Sequence, residues 1–226
     1  MTAPRVFMAV PMIGHVHPSA YIAHLQLSKP PLTGIACTVR AMPDEARNGL
    51  AEAALRNDYE YVFFLDDDMV PMADELLHLY RLMEEFASID VLSPFAYRRK
   101  PPYWPCVMRR RPDGKYDPVE TRDAGLIDVD MTTIACTIVR TSILKKIPKP
   151  WFAFEWRDGV KYSEDIVFCE KVKAAGGRIV VDSDREVLHI SENLLVGRDV
   201  YEKYGTPSPL KGAGSVKRNK AQEKTL

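Results

Sequence analysis

The apolar positions of this chain fall into runs that alternate between strand and helix periods. Arg5-Val6-Phe7-Met8-Ala9-Val10-Pro11 is predicted as a first strand, stopped by Pro11 and Gly14. A helix is expected from about Ser19 to Leu27, and Gly34 to Arg40 forms a second strand. From Pro43 to Asn57, Ala46, Leu50, Ala53 and Ala54 recur at helical spacing, with Asp44 and Glu45 suited to the first turn. Tyr61-Val62-Phe63-Phe64-Leu65 is different, because no polar residue interrupts it. Such a run predicts a strand covered on both faces, as in a mainly parallel sheet. Met72 to Ala87 is the clearest amphipathic helix, with Leu76, Leu79, Tyr80, Met83 and Phe86 on one face.

The second half repeats the alternation. Val91 to Pro94 is predicted as a strand, Thr132 to Val139 as a β-branched central strand, and Thr141 to Lys146 as a short helix. A helix opening at Ser163-Glu164-Asp165 buries Ile166, Phe168, Cys169 and Val172 and ends at Gly176-Gly177. Arg178 to Val181 and Val187 to Ile190 are expected as two further strands. Strands alternating with helices indicate the α/β class. Two stretches carry no period. Arg98 to Pro112 is basic and Pro-rich, an edge hairpin or a mobile loop, and Trp151 to Trp156 is a dense aromatic loop. From Thr206 the chain turns to Gly, Pro, Ser and Lys, so one domain over 1–205 and a flexible basic tail over 206–226 are expected.

Composition narrows the picture little. The 226 residues suit one sizeable domain, and 46% hydrophobic with 27% charged content is that of an ordinary globular protein. Lys+Arg and Asp+Glu both number 31, which gives no argument for wrapping nucleic acid or lying on an acidic membrane. Cys37, Cys106, Cys136 and Cys169 stand far apart without zinc spacing, and reduced, structural thiols are expected. No apolar stretch approaches the roughly 18 residues of a membrane span, so a cytoplasmic protein without integral membrane association is expected.

The candidate chemistry sits where the apolar run of Tyr61 to Leu65 meets Asp66-Asp67-Asp68. Ligands in open α/β sheets bind beyond the carboxyl ends of the strands, and three adjacent carboxylates repel one another unless a divalent cation neutralises them. A solvated acidic turn with Asp68 or Asp74 capping a helix is the plainer alternative. Arg47 and Asn48 lie near the start of the second helix, where a cation opposes the helix dipole and asks for an anionic partner. His15 and His17 stand in a loop, as metal ligands or as residues holding a turn, with His24 in the following helix.

The order of strand-Asp66-Asp67-Asp68, Glu164-Asp165 at a helix start and Val187-Leu188-His189 near the end resembles nucleotide-diphospho-sugar glycosyltransferases of the GT-A fold, family-2-like. Arg47-Asn48 and Trp151-Phe152 are also similar to that family, and the resemblance spans roughly residues 5 to 195. It implies a Rossmann-like three-layer α/β/α sandwich with a mixed, mainly parallel sheet. It implies a UDP- or GDP-sugar as donor, contacted by Arg47, Asn48, Asp66 and Asp67, and a metal held by Asp68, Asp66 and His189. Nitrogen beside oxygen donors favours Mn²⁺ over Mg²⁺. Asp165, with Glu164, is the implied catalytic group, taking the proton of an acceptor hydroxyl in a single displacement that inverts the anomeric centre. The acceptor stays open between a saccharide, a protein and a modified nucleobase in DNA. Asp66-Asp67-Asp68-Met69-Val70 also fits the signature of haloacid-dehalogenase-like phosphatases, with Asp66 as nucleophile and Asp68 as acid/base. A non-catalytic nucleotide-sugar-binding module is the third alternative.

Overall fold

A computed structural model of the chain describes residues 5–14, 16–119, 125–192 and 194–205. The tail over 206–226 and His15 lie outside the described residues. In chain order the elements are β1 (Val6–Met12), α1 (Pro18–Gln26), β2 (Gly34–Val39), α2 (Pro43–Arg56), β3 (Tyr61–Leu65), β4 (Met69–Val70), α3 (Glu75–Glu85) and β5 (Val91–Ala96). There follow β6 (Met108–Arg110), β7 (Tyr116–Pro118), β8 (Leu126–Val129), β9 (Cys136–Arg140), α4 (Thr141–Lys146), β10 (Glu155–Arg157), β11 (Val160–Tyr162), α5 (Glu164–Ala174), β12 (Ile179–Ser191), β13 (Leu194–Val196) and α6 (Arg198–Tyr204).

The main sheet runs β13-β12-β5-β9-β3-β1-β2, with β4 and β8 also paired to β12. β1 lies parallel to β2 and β3, and β12 lies parallel to β5, while β9 is antiparallel to both β3 and β5. Strands β2, β1, β3, β5 and β12 therefore share one direction. All five residues of β3 are buried. Val62 and Phe64 face a core layer with Leu50, Ala51 and Ala54 of α2 and with Phe168, Cys169 and Val172 of α5. Tyr61, Phe63 and Leu65 face the opposite layer, with Leu76, Leu79 and Met83 of α3. That is a three-layer α/β/α sandwich, and it explains why the run lacks alternation. No helix among the described residues is long and apolar enough to cross a membrane.

Several boundaries differ from the periodic pattern. The helix expected from Met72 begins at Glu75, because Ala73 is bound by its carbonyl to the Ser28 N–H, and Asp74 spends its carboxylate on Arg185 rather than on a cap. The strand expected from Thr132 begins at Cys136, leaving Thr132 to Ala135 as a loop. The two strands expected over 178–190 are one, β12, carried across a register shift between Asp182 and Glu186. The basic segment after β5 ends in the β6–β7 hairpin. The N-cap position of α3 is Asp74, and its side chain makes no cap hydrogen bond, so the acidic turn does not serve as a helix cap.

One buried group stands apart from the cleft. Glu75 is fully buried, and both of its carboxylate oxygens lack a hydrogen-bond partner. Its nearest cation, Arg185, lies 3.8 Å away and is already held by Asp74 at 2.6 and 2.7 Å. Burial pushes the Glu75 carboxyl up to about 7, against Arg185 and with help from Asp74 and Asp182. An acid with a raised folded value favours folding when protonated, so this stability is present below its ordinary value of 4.5 and is lost as pH rises towards about 7. Glu75→Gln is expected to abolish about 3 kcal/mol of that decline. Urea midpoints at pH 5 and pH 8 check it, and an unchanged difference between the two would refute it.

Candidate active site

The direction shared by the parallel strands brings their carboxyl ends to one rim. β1 ends there in Ile13 and Gly14, β2 leads to Ala41, Pro43 and Arg47, and β3 leads to the three aspartates. Because β9 runs the other way, its entry loop delivers Thr133 and Ala135 to the same rim, where Leu65 pairs Cys136. β5 is followed by Arg99, α5 begins with Glu164 and Asp165, and β12 supplies His189. Together they line a cleft of about 510 Å³.

At its centre lies Arg47, on the first turns of α2 and only 3% exposed. Its Nη2 donates to both oxygens of Asp66, at 3.0 and 2.7 Å, and its Nη1 donates to Glu164 Oε1 and lies 3.7 Å from Asp165 Oδ1. One cation thus faces three carboxylates. Burial lifts the Asp66 carboxyl to about 7 against the pull of Arg47, with Asp68, Asp165 and Glu164 adding to the rise. Glu164 is raised by burial and by Asp165, again against Arg47. Arg47 itself stays protonated, since its carboxylate neighbours outweigh the cost of burial.

Asp68 belongs to a second set. His189 Nε2 stands 3.2 Å from Asp68 Oδ2, and Arg99 Nη1 donates to the same oxygen at 2.7 Å. The other ring nitrogen of His189, Nδ1, is 2.9 Å from the Tyr97 carbonyl, an acceptor that holds its proton on Nδ1 in the neutral ring. Burial opposes the charge on Asp68, yet the hydrogen bond and charge of His189 outweigh it and keep the carboxyl below its ordinary range. The His189 imidazole is raised by the same pair, again against burial. Asp67 Oδ2 accepts from the Ile13 N–H at 3.3 Å and so joins the β3 end to the β1 end.

The sequence-derived candidates therefore divide. Arg47, Asp66, Asp67, Asp68, Glu164, Asp165 and His189 all line the cleft. Asn48 does not. Its Oδ1 accepts from the Trp151 and Phe152 N–H groups, at 2.9 and 3.2 Å, and its Nδ2 donates to the Phe152 and Asp44 carbonyls. It braces the Trp151-Phe152 turn beneath α2. Nor do Asp66, Asp68 and His189 form a preassembled triad, because Arg47 holds both oxygens of Asp66. Among the described residues no three His, Cys, Asp or Glu side chains are grouped to hold a metal ion. His17 holds a turn, its Nδ1 accepting from the Ser19 N–H at 3.2 Å to open α1.

Two further side chains complete the cleft, Arg99 from the basic segment expected beside the crevice and Thr133, which the sequence did not single out. Thr133 Oγ1 donates to Asp165 Oδ2 at 3.0 Å, and Arg99 pairs with Asp68. Both lie on loops, Arg99 within the basic segment and Thr133 in a stretch expected as strand that the structure leaves as the entry loop of β9. Asp165 Oδ1 is buried and has no hydrogen-bond partner. The carboxylate is thus anchored by Thr133 through Oδ2 and faces the Arg47 guanidinium, 3.7 Å away, through Oδ1.

No protein-family model matches the chain, and no curated protein does. Among solved structures it is similar to A197 from STIV, at 20% identity and a TM-score of 0.62, over 96% of this chain and 99% of that one. It is also similar to S. aureus TarS 1-349 in complex with UDP-GlcNAc, at 16% identity and a TM-score of 0.53. That match covers 89% of this chain and 64% of TarS 1-349. At such identities the likeness shows the fold, the mixed α/β sandwich expected above.

Proposed function

We propose that the chain is a glycosyltransferase that moves a sugar from a nucleotide-diphosphate donor, UDP- or GDP-linked, to an acceptor hydroxyl with inversion. The observation that carries this reading is the meeting of Asp66 to Asp68, Glu164-Asp165 and His189 in one cleft, from three separate segments up to 121 residues apart. TarS 1-349 holds UDP-GlcNAc on a similar fold, which supports a donor of that class.

The residues divide the work between two ends of the cleft. Asp66, fixed by Arg47, and Asp67, fixed by Ile13, place acceptor oxygens where a ribose would offer hydroxyls. Asp68 and His189 fit a divalent cation, with carboxylate oxygen and imidazole Nε2 facing each other and Nδ1 tied to the Tyr97 carbonyl, as a metal-ligating His is commonly oriented. The mixed donors favour Mn²⁺ over Mg²⁺. When bound, that cation supplies charge neutralisation to the departing diphosphate. Arg99 adds a fixed positive charge at the same end. Asp165, held at Oδ2 by Thr133 and facing Arg47 at Oδ1, is the carboxylate that takes the acceptor's proton. As the acceptor oxygen bonds to the anomeric carbon, the bond to the diphosphate oxygen breaks.

The phosphatase alternative requires a free carboxylate nucleophile. Both oxygens of Asp66 accept from Arg47, which lowers their nucleophilicity, and its strand is third rather than first. Incubation with UDP- and GDP-sugars and Mn²⁺ is expected to release the nucleoside diphosphate, with p-nitrophenyl phosphate left intact. The reverse pattern would establish the phosphatase, and a donor that binds without turning over under any acceptor mixture would establish the binding module.

A further inference from the structure

The edge of the main sheet at β2 is unguarded. Among the described strands β2 pairs β1 alone, over six residues in unbroken register. It carries no charged side chain, no proline and no bulge, the devices that keep edge strands from pairing. The opposite edge, β13, has three residues. In a parallel ladder alternate residues bond to the neighbouring strand. Met12 pairs Val39 and its carbonyl accepts from the Arg40 N–H at 3.1 Å, so Gly34, Ala36 and Thr38 turn their backbone groups to β1. Ile35, Cys37 and Val39 therefore turn theirs outward. Their side chains share the face of Met8 and Val10, where β1 is covered and β2 is bare, with Ile35 58% and Val39 60% exposed and Cys37 exposed between them. α1 does not cover them. It is held towards β4, with His24 Nε2 3.1 Å from the Met69 carbonyl and the Ser28 N–H donating to the Ala73 carbonyl at 2.6 Å.

Exposed apolar surface is concentrated in the same part of the chain. Eight of the fifteen large apolar side chains exposed among the described residues lie between Ile13 and Met42, and Tyr21, Ile22, Leu25 and Leu32 stand on α1 and the turn that leads into β2. With Ile35 and Val39, six such side chains at about 100 Å² each offer ~600 Å², most of the roughly 800 Å² per partner of a standard interface. The 206–226 segment does not supply an apolar cover, since it holds Leu210, Val216 and Leu226 among Gly, Ser and Lys. A second copy of the chain supplies one. Lys+Arg and Asp+Glu balance at 31 each, so two copies do not repel, and an edge whose outward residues are spaced evenly about Cys37 is complementary to itself. We infer that two copies of the chain join antiparallel along β2 about a two-fold axis at Cys37, with Ile35 of each copy opposite Val39 of the other, and extend the two sheets into one. The antiparallel direction sends the two clefts to opposite ends of the joined strands, so both stay open. The inference does not depend on the reaction proposed above.

Light scattering on the full chain after gel filtration tests it, at concentrations from about 1 to about 100 μM. Twice the chain mass is expected at the upper concentration. Ile35→Lys and Val39→Lys, both at exposed positions, should each weaken association about tenfold or more and leave the circular dichroism of the chain unchanged. Oxidation with diamide reads the register. Paired at the axis, the two Cys37 Cα atoms stand about 5.5 Å apart, within the roughly 4.4–6.8 Å that a disulfide spans. A covalent dimer through Cys37 is therefore expected, each thiol giving one proton and one electron to the diamide, whereas Cys37→Ser should stay a dimer that diamide does not link. A monomer at the upper concentration would overturn the inference and leave the edge to a different partner. So would a dimer that withstands both lysine substitutions, or one that diamide fails to link at Cys37.

Discussion

Arg47→Met is expected to destabilise the protein by roughly 3–5 kcal/mol, the range found when one partner of a buried ion pair is removed. The side chain is 3% exposed and is the cation that Asp66 and Glu164 share, with Asp165 at 3.7 Å. Met fills much of the space but leaves three carboxylates facing one another at the end of the sheet. Their escape is to take up protons. Part of the loss should therefore return as pH falls below about 7, the value to which Asp66 is already lifted with Arg47 present. Arg47→Lys should recover only part, because a point charge cannot serve Asp66 with one nitrogen and Glu164 with another. Urea denaturation at pH 8 and pH 5.5 reads both effects, and a stability equal to wild type at pH 8 would show that the cluster does not depend on this guanidinium. A drop in melting temperature of about 10 °C should accompany the loss in a chain of this length.

Arg47 also shows how far the sequence could be read. A cation at the start of a helix needs an anionic partner, and that much follows from the dipole. The resemblance offered the nucleotide. The structure supplies carboxylates, Asp66 at 19 residues' separation and Glu164 at 117, which no local pattern could join. Asn48 is assigned to the donor by the resemblance of the Arg47-Asn48 pair, whereas on a helix neighbouring residues point about 100° apart, and it turns to Trp151 and Phe152 instead.

Legibility of the fold followed burial. Tyr61 to Leu65 could be placed because both sides of β3 are core, and hydrophobicity then marks every residue. β12 could not be traced as one strand because Asp182-Ser183-Asp184-Arg185-Glu186 reads as a polar loop. Its continuity depends on partners from α3 and the turn before it. His78 meets Asp182 at 2.7 Å and Arg185 holds Asp74, so polar residues are satisfied within a strand instead of solvated in a loop. The bridge matters to the site, since the same strand carries His189 to Asp68. Thr133 was hidden inside an expected strand and Arg99 inside a whole basic segment, and their individual roles became visible only once the strands set them beside Asp165 and Asp68.

Asp165→Asn should lower transfer about 10²- to 10⁴-fold, the range attributable to a positioned general base, while nucleotide binding stays within a factor of about two. Asn preserves the shape of the side chain and an oxygen to accept from Thr133 Oγ1, now at 3.0 Å. What it removes is the carboxylate charge that lets Asp165 act as a base. It also removes one of the three negative charges around Arg47, leaving Asp66 and Glu164 to hold the guanidinium, so stability should hold or rise. That contrast with Arg47→Met separates the base from the scaffold, because one substitution loses turnover in a stable protein and the other loses the protein's stability. Thr133→Val gives an intermediate case, in which Asp165 keeps its charge and loses its orientation. If Asp165→Asn transfers sugar at nearly the wild-type rate, the proton goes elsewhere. Glu164, whose carboxylate is bound to Arg47 and raised by burial, would then be the remaining carboxylate at the start of α5.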